Sequence, residues 1–278
     1  MRVRSAGVAL VLLAGCGVTE GPLLIALDGG EIAASDGGSA GAAASTPPLI
    51  AQDDPWQYQL VGTVDPALDV RLFVGDLFNV KDAEIARLRA QGTILVAYLS
   101  AGTVENFRTD ADRFPDAAIG RALEAYPDER WLDVRDPTVR AQMAVRLALA
   151  RSRGFDGVFP TGLAAYRRDT GFDLTAEDQA AYTTWLAGEA HARGLRIGMS
   201  DDFTRIDELG PHFDFAIHYG CIARGDCAQL DPFRVQGKAV LDLETEGTRD
   251  EMCRRADEFQ VNAILKHAGF DSYVVRCQ

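Results

Sequence analysis

From Trp56 onward, short runs rich in Val, Ile, Leu, Phe and Tyr alternate with longer stretches whose apolar residues recur every three or four positions. Eight runs read as strands: residues 57–61, 70–77, 94–100, 155–160, 196–200, 213–218, 238–244 and 263–266. Helical patterns lie between them at 81–91, 137–153, 176–193 and 248–258. Gly92, Gly154 and Gly194 stand just before a strand, where a glycine closes a helix by taking the left-handed conformation. This alternation predicts βα units around a parallel sheet. Eight strands in one domain fit a (β/α)8 TIM barrel spanning 56–278. A doubly wound open sheet is the alternative, and no Gly-rich dinucleotide fingerprint follows the first strand to support it.

The first residues do not belong to that pattern. Arg2 and Arg4 precede a short apolar run at 8–13, too brief to span a bilayer and consistent with a secretory signal. The run ends in Leu13-Ala14-Gly15-Cys16, which resembles a bacterial lipobox. The resemblance implies that residues 1–15 are a lipoprotein signal peptide and that Cys16 carries the lipid. A plain signal peptide with an incidental cysteine is the alternative. Residues 16–55 are rich in Gly, Ala and Ser, and Pro47-Pro48 lies near their end. They are expected to form a flexible tether, although the apolar stretch 23–27 does not fit that composition.

The chain carries 28 Lys+Arg against 41 Asp+Glu, a net charge of −13, with no basic cluster. That argues against a nucleic-acid partner. Loss of Arg2 and Arg4 with the signal peptide lowers the charge by two, to −15. After Cys16, four cysteines remain, and in an exported protein an even number suggests two disulfides. Cys221 with Cys227 would close a local loop; Cys253 with Cys277 would tie the chain end to the last helix. No HExxH, P-loop or GxSxG occurs, and the histidines His191, His212 and His267 have no neighbours at metal-ligand spacing. Neither a metal nor a cofactor is expected.

Several phrases occur together in one order: Tyr58-Gln59-Leu60, Asp76-Leu77-Phe78, Tyr98-Leu99-Ser100-Ala101-Gly102, Glu105, Arg108, Asp110, Phe114-Pro115 and Trp131-Leu132-Asp133-Val134-Arg135. Gly154-Phe155-Asp156-Gly157-Val158, Thr170-Gly171-Phe172, Asp214-Phe215-Ala216-Ile217 and Lys238-Ala239-Val240 follow. From about Trp56 to the C-terminus the set resembles glycoside hydrolase family 114, the endo-α-1,4-polygalactosaminidases, whose fold is a (β/α)8 barrel. The resemblance implies a galactosamine-rich polysaccharide as partner, and the acidic net charge favours a cationic, partly deacetylated one. It also implies two carboxylic groups at the C-terminal ends of the strands, one to protonate the leaving oxygen and one to attack or to activate water.

At those positions the chain departs from the pattern. After the fourth strand the family reads Gly-Phe-Asp-Gly-Val-Glu-Pro-Asp-Asn; here the last four places hold Phe159, Pro160, Thr161 and Gly162. A Lys-Asn pair after the fifth strand is replaced by Ser200 and Asp201, and Asn-Glu-Gln-Cys after the sixth by His218, Tyr219, Gly220 and Cys221. The family's two acids therefore fall on Thr161 and Tyr219, neither of which ionises near neutral pH unaided.

Asp76, Asp201 and Glu244 are the candidate substitutes. The bland reading is that Asp76 and Glu244 only hydrogen-bond loops or sugar hydroxyls. Tyr219 as a nucleophile activated by His218 needs the two side chains to meet, which adjacent strand residues do not readily do. Asp156 and Asp214 stand at the far ends of their strands and read as structural. The expected substrate cleft is Asp76, Tyr98, Glu105, Phe159, Thr161, Ser200, Asp201, His218, Tyr219 and Glu244. Two functions follow: a lipid-anchored, monomeric barrel that binds amino-sugar polymer without cleaving it, or a glycosidase with relocated acids.

Overall fold

The computed structural model describes residues 47–277; the expected signal peptide, Cys16 and most of the expected tether lie outside them. Eight parallel strands form in the expected order: β1 (Trp56–Gln59), β2 (Leu72–Asp76), β3 (Ile94–Ser100), β4 (Gly157–Thr161), β5 (Arg196–Met199), β6 (Phe215–Tyr219), β7 (Val240–Glu244) and β8 (Asn262–Leu265). Each pairs with its sequence neighbour in parallel register, and the strand Val275–Arg276 adds antiparallel to β8. The fold is the (β/α)8 barrel that the pattern predicts.

The seam between β8 and β1 is closed by the C-terminal segment and by side chains. Leu60 N–H donates to the Phe270 carbonyl at 2.9 Å, and Arg276 Nε to the Trp56 carbonyl at 2.9 Å. Lys266 Nζ, fully buried, donates to Gln57 Oε1 at 2.8 Å. The disulfide Cys253–Cys277 holds that segment to the helix Arg249–Phe259, and Cys221–Cys227 closes the six-residue loop after β6, so both expected pairings form.

The helix ends follow local chemistry. Asp136 accepts from Thr138 N–H at 2.7 Å at the start of the helix Pro137–Arg153, which ends at Gly154 with φ 91°. Thr175 and Asp178 form a reciprocal capping box on the helix Ala176–Ala192. Residues just before Trp56, expected in the tether, already hold the barrel: Gln52 exchanges side-chain bonds with the Val240 backbone, and the Asp54 carbonyl accepts from Asn262.

Alternation along the strands creates two cores. Trp56, Tyr58, Leu72, Val74, Ile94, Val96, Phe159, Phe215, Ile217, Leu241, Leu243 and Ile264 fill the barrel. The opposite faces of the strands pack against the helices. On β5 the inward position is Gly198, and a Cβ there would lie 2.4 Å from the Phe215 ring and 3.0 Å from that of Phe159. Those two rings occupy the space the glycine leaves.

Several elements are absent from the sequence reading, and one of them borders the site. Between β3 and the helix Pro137–Arg153, a small antiparallel sheet forms from Thr103–Glu105, Glu129–Leu132 and Ile119–Ala122. It rises from the C-terminal end of β3 beside the barrel mouth.

Gly198→Ala should lower unfolding free energy by about 1–3 kcal/mol through overpacking, read as a lower urea midpoint at unchanged slope.

Candidate functional site at the barrel mouth

The inward register that fills the barrel continues to the C-terminal ends of the strands. It delivers Asp76 from β2, Tyr98 from β3, Thr161 from β4 and Tyr219 from β6 to one cleft of about 780 Å³. Asp201, just past β5, and Glu105, Phe107, Tyr126 and Glu129 from the small sheet and its loops complete much of the wall. Of the expected cleft residues, Asp76, Tyr98, Glu105, Thr161, Asp201 and Tyr219 line it.

The other four do not. Phe159 is fully buried beneath Tyr219, with ring centroids 6.2 Å apart. Ser200 and His218 line a neighbouring cavity, and Glu244 a third. Strand alternation explains His218 and Glu244. Both have outward parity on β6 and β7, so they face the short helix Cys221–Arg224 instead of the barrel axis.

The floor of the cleft is a cluster of phenols. Tyr219 Oη lies 2.7 Å from Tyr58 Oη, and Thr161 Oγ1 donates to Tyr98 Oη at 3.3 Å. Tyr58 packs edge-on against Tyr98, Phe159, Tyr219 and Phe270. Burial pushes Tyr98 up to about 12 and raises Tyr58 and Tyr219 well above the ordinary tyrosine range. The ring of His218 turns away, to Phe203 at 4.8 Å. Tyr219 therefore has neither an ionised form near neutral pH nor its sequence neighbour as a base.

The candidate acids stand in different states. Asp76 accepts both nitrogens of the Arg108 fork, at 3.0 and 2.6 Å, and the N–H groups of Phe78 and Asn79. Arg108 also bonds Glu105 at 2.6 and 2.8 Å, so two buried carboxylates share one guanidinium. Asp110, from the same loop, pairs with Arg146 at 2.8 Å. Glu244 accepts from Ile222 and Ala223 N–H at 2.9 and 3.1 Å, and Asp242 beside it from Cys221 N–H at 2.9 Å. Burial, with the neighbouring Asp242 carboxyl second, pushes Glu244 up to about 7. These two acids secure a loop and do not face the cleft. At the opposite end, Asp156 and Asp214 accept from Leu95 and Ile197 N–H, the structural role expected of them.

Of the cleft carboxylates, Asp128, Asp201 and Glu129 stand outside any ion pair among the described residues, and Asp128 accepts from Asn106 Nδ2 at 3.1 Å. Asp201 accepts from Leu163 N–H and Ser200 Oγ, both at 3.0 Å; burial raises its pKa and these bonds partly offset the rise. Glu129, which sequence reasoning missed, accepts from Thr103 Oγ1 and from Ser100 Oγ at 3.2 Å. Burial raises its pKa, the Thr103 hydroxyl opposes the shift, and the charge of Glu105 adds to it. No pattern in the chain flags Glu129, because it reaches the cleft from the unpredicted small sheet. Phe107 and Tyr126 stand 65% and 62% exposed on the same rim and present aromatic surface to solvent.

Comparison with known proteins agrees with this architecture. The profile of glycoside-hydrolase family GH114 matches residues 38–278. The chain belongs to that family. Among solved structures, Aspergillus fumigatus Ega3, crystallised in complex with galactosamine, is 29% identical over 84% of this chain and 98% of that one, with a TM-score of 0.78. The glycoside hydrolase domain of PelA from Pseudomonas aeruginosa is 18% identical over 80% of this chain and 97% of that one, with a TM-score of 0.63, and shares the fold. No curated protein sequence matches the chain significantly. The GH114 chain described here thus carries the family's barrel with phenols and a threonine at the centre of its mouth.

Two measurements test the site. Arg108→Met strands the buried carboxylates of Asp76 and Glu105 and should cost about 3–5 kcal/mol in urea unfolding. Glu244 carries a folded pKa of about 7 against an ordinary value of 4.5, so the folded state holds its proton more tightly than the unfolded chain. Its contribution is complete below about pH 4.5 and is lost as the pH rises through 7. The urea midpoint should fall across that window, and Glu244→Gln should flatten the fall.

Proposed function

We propose that this GH114 barrel binds a galactosamine-containing polysaccharide in its mouth and does not hydrolyse it. One observation carries the reading: the two strand ends to which the family resemblance assigns acids bear Thr161 and Tyr219, hydrogen-bonded into a cluster of phenols that stay protonated. Acid catalysis of glycoside cleavage needs a group that gives up a proton near the working pH, and a pKa well above 10 does not provide one. The likeness to Ega3, solved with galactosamine, supports the choice of sugar. The exposed Phe107 and Tyr126 offer stacking faces, and a net charge of −13 favours a cationic, partly deacetylated polymer at short range.

In this reading the lipobox-like Leu13-Ala14-Gly15-Cys16 exports the protein and anchors it through Cys16, with the tether letting a monomeric barrel reach polymer away from the membrane. Among the described residues no helix is long and apolar enough to cross a membrane.

A second reading, hydrolysis by relocated acids, is favoured by one observation. Asp201 and Glu129 line the same cleft, and burial raises the pKa of both. Of the substitutes expected from sequence, Asp76 is held by Arg108 and Glu244 faces another cavity, which leaves Asp201 with Glu129 as the pair.

Incubating the protein with de-N-acetylated galactosaminan and measuring new reducing ends separates the two. Binding without release of ends is expected, and Thr161→Asp with Tyr219→Glu should introduce measurable cleavage. Enzyme-like release by the wild type, abolished by Asp201→Asn or Glu129→Gln, would establish the second reading.

A further inference from the structure

The segment that closes the barrel seam also reaches the mouth. After β8 the chain passes through three exposed residues, 267–269, and returns to pair with β8 again at Val275–Arg276. Phe270 stands at the start of that return. It lines the main cleft of about 780 Å³ and also the third cavity, of about 300 Å³. Tyr219 lines both as well, and the two rings lie 6.2 Å apart. Beyond them the third cavity continues along Gly220, Leu243, Thr245 and Glu246.

The backbone is strained where it places that ring. Phe270 has φ 52°; of the three non-glycine residues with positive φ among the described residues, it is the aromatic one. A bulky side chain avoids this conformation unless its surroundings impose it. Here they do. The Phe270 carbonyl accepts from Leu60 N–H, and its own N–H donates to the His267 carbonyl, both at 2.9 Å. Buried Lys266 Nζ donates to the Asp271 carbonyl at 2.7 Å and to Gln57 Oε1 at 2.8 Å, while Gln57 Nε2 donates to the Ser272 carbonyl at 2.9 Å. On the surface, His267 Nδ1 lies 3.0 Å from Asp271 Oδ2, and the His267 ring stacks on Tyr273 at 3.9 Å. The seam is thus closed by the backbone of Phe270 and by its neighbours' side chains, none of which needs an aromatic ring at position 270. The ring instead packs edge-on against Tyr58 at 5.2 Å, at the boundary of the two cavities. Strain kept at a cleft and fixed by so many partners points to a use for the ring's position.

Resting on the polysaccharide reading above, we propose that Phe270 sets how long a stretch of polymer the mouth engages, its ring standing as a partition between the main cleft and the third cavity. Sugar units in the main cleft meet the ring where the groove would otherwise run on toward Thr245 and Glu246. Tyr219, bonded to Tyr58 Oη at 2.7 Å, is fixed in the phenol cluster. Phe270 is the half of the partition that can be removed while the backbone bonds of the seam remain.

The test titrates galactosamine oligomers, from the disaccharide upward, into the full chain by calorimetry. In the wild type affinity should stop rising once the main cleft is filled. In Phe270→Gly it should go on rising, so that the ratio of long- to short-oligomer affinity is about tenfold higher than in the wild type, the effect of one further hydrogen-bonded sugar unit. Glycine takes a positive φ without strain, so Phe270→Gly should unfold at a higher urea midpoint than Phe270→Ala. The reverse order would show that position 270 is not left-handed and overturns the proposal. Should neither variant keep the native circular dichroism, Phe270→Leu retains apolar packing with a smaller side chain and should raise the same ratio part-way. A length dependence identical in wild type and variants overturns the partition. Affinity lost equally at all lengths also overturns it, by making Phe270 a stacking face. If the wild type binds oligomers in those cases, the polysaccharide reading stands; if neither wild type nor variant binds any oligomer, both fall.

Discussion

The constraint on which the site depends is the two-residue alternation of the parallel strands. It sends Trp56, Tyr58, Phe159 and Phe215 into the barrel and, one step further along the same register, Asp76, Tyr98, Thr161 and Tyr219 to its mouth. The same alternation removes His218 and Glu244 from that mouth, although each stands next to a residue that faces it. The rings below are packed tightly enough that the inward position on β5 has room only for Gly198. The identity of the cleft is therefore set by parity and packing more than by which polar residues lie near a strand end.

Electrostatics then sorts the carboxylates that the family resemblance left unassigned. Asp76 and Glu105 share the guanidinium of a single buried Arg108. Glu244 and Asp242 accept from the backbone of the Cys221–Arg224 turn, and burial pushes Glu244 up to about 7. Each of these groups stabilises a loop of the mouth by being bonded, and the bonding withdraws it from proton transfer. Asp201 and Glu129 are bonded only by neutral donors, and burial raises the pKa of both. The centre of the mouth consists of hydroxyl groups, suited to hydrogen-bonding a sugar and unable to ionise.

The small antiparallel sheet between β3 and the helix Pro137–Arg153 changes the shape of the mouth as well as its chemistry. It walls one side of the cleft and brings Glu105 and Glu129 onto that wall, with Phe107 and Tyr126 in its loops. In the proposed reading these exposed loop rings are the stacking faces for sugar.

The chain by itself determined the barrel, because eight apolar runs of strand length spaced by helical patterns admit few parallel folds, and because Gly154, Asp136 and Thr175 mark helix ends locally. It also pointed to both disulfides, and the family resemblance led to the expectation that Thr161 and Tyr219 occupy the positions of the family's acids. Tertiary structure alone decided which acids meet. Glu129 lies in strands too short and polar to carry a period, and its approach to the cleft depends on pairing with Thr103–Glu105, more than twenty residues away. That Asp76 spends its charge on Arg108, and that Asp202 accepts from Tyr166, depends on contacts between loops from different strands. No sequence period reports such contacts, since each loop's side chains are positioned by the closed sheet below and not by their own neighbours.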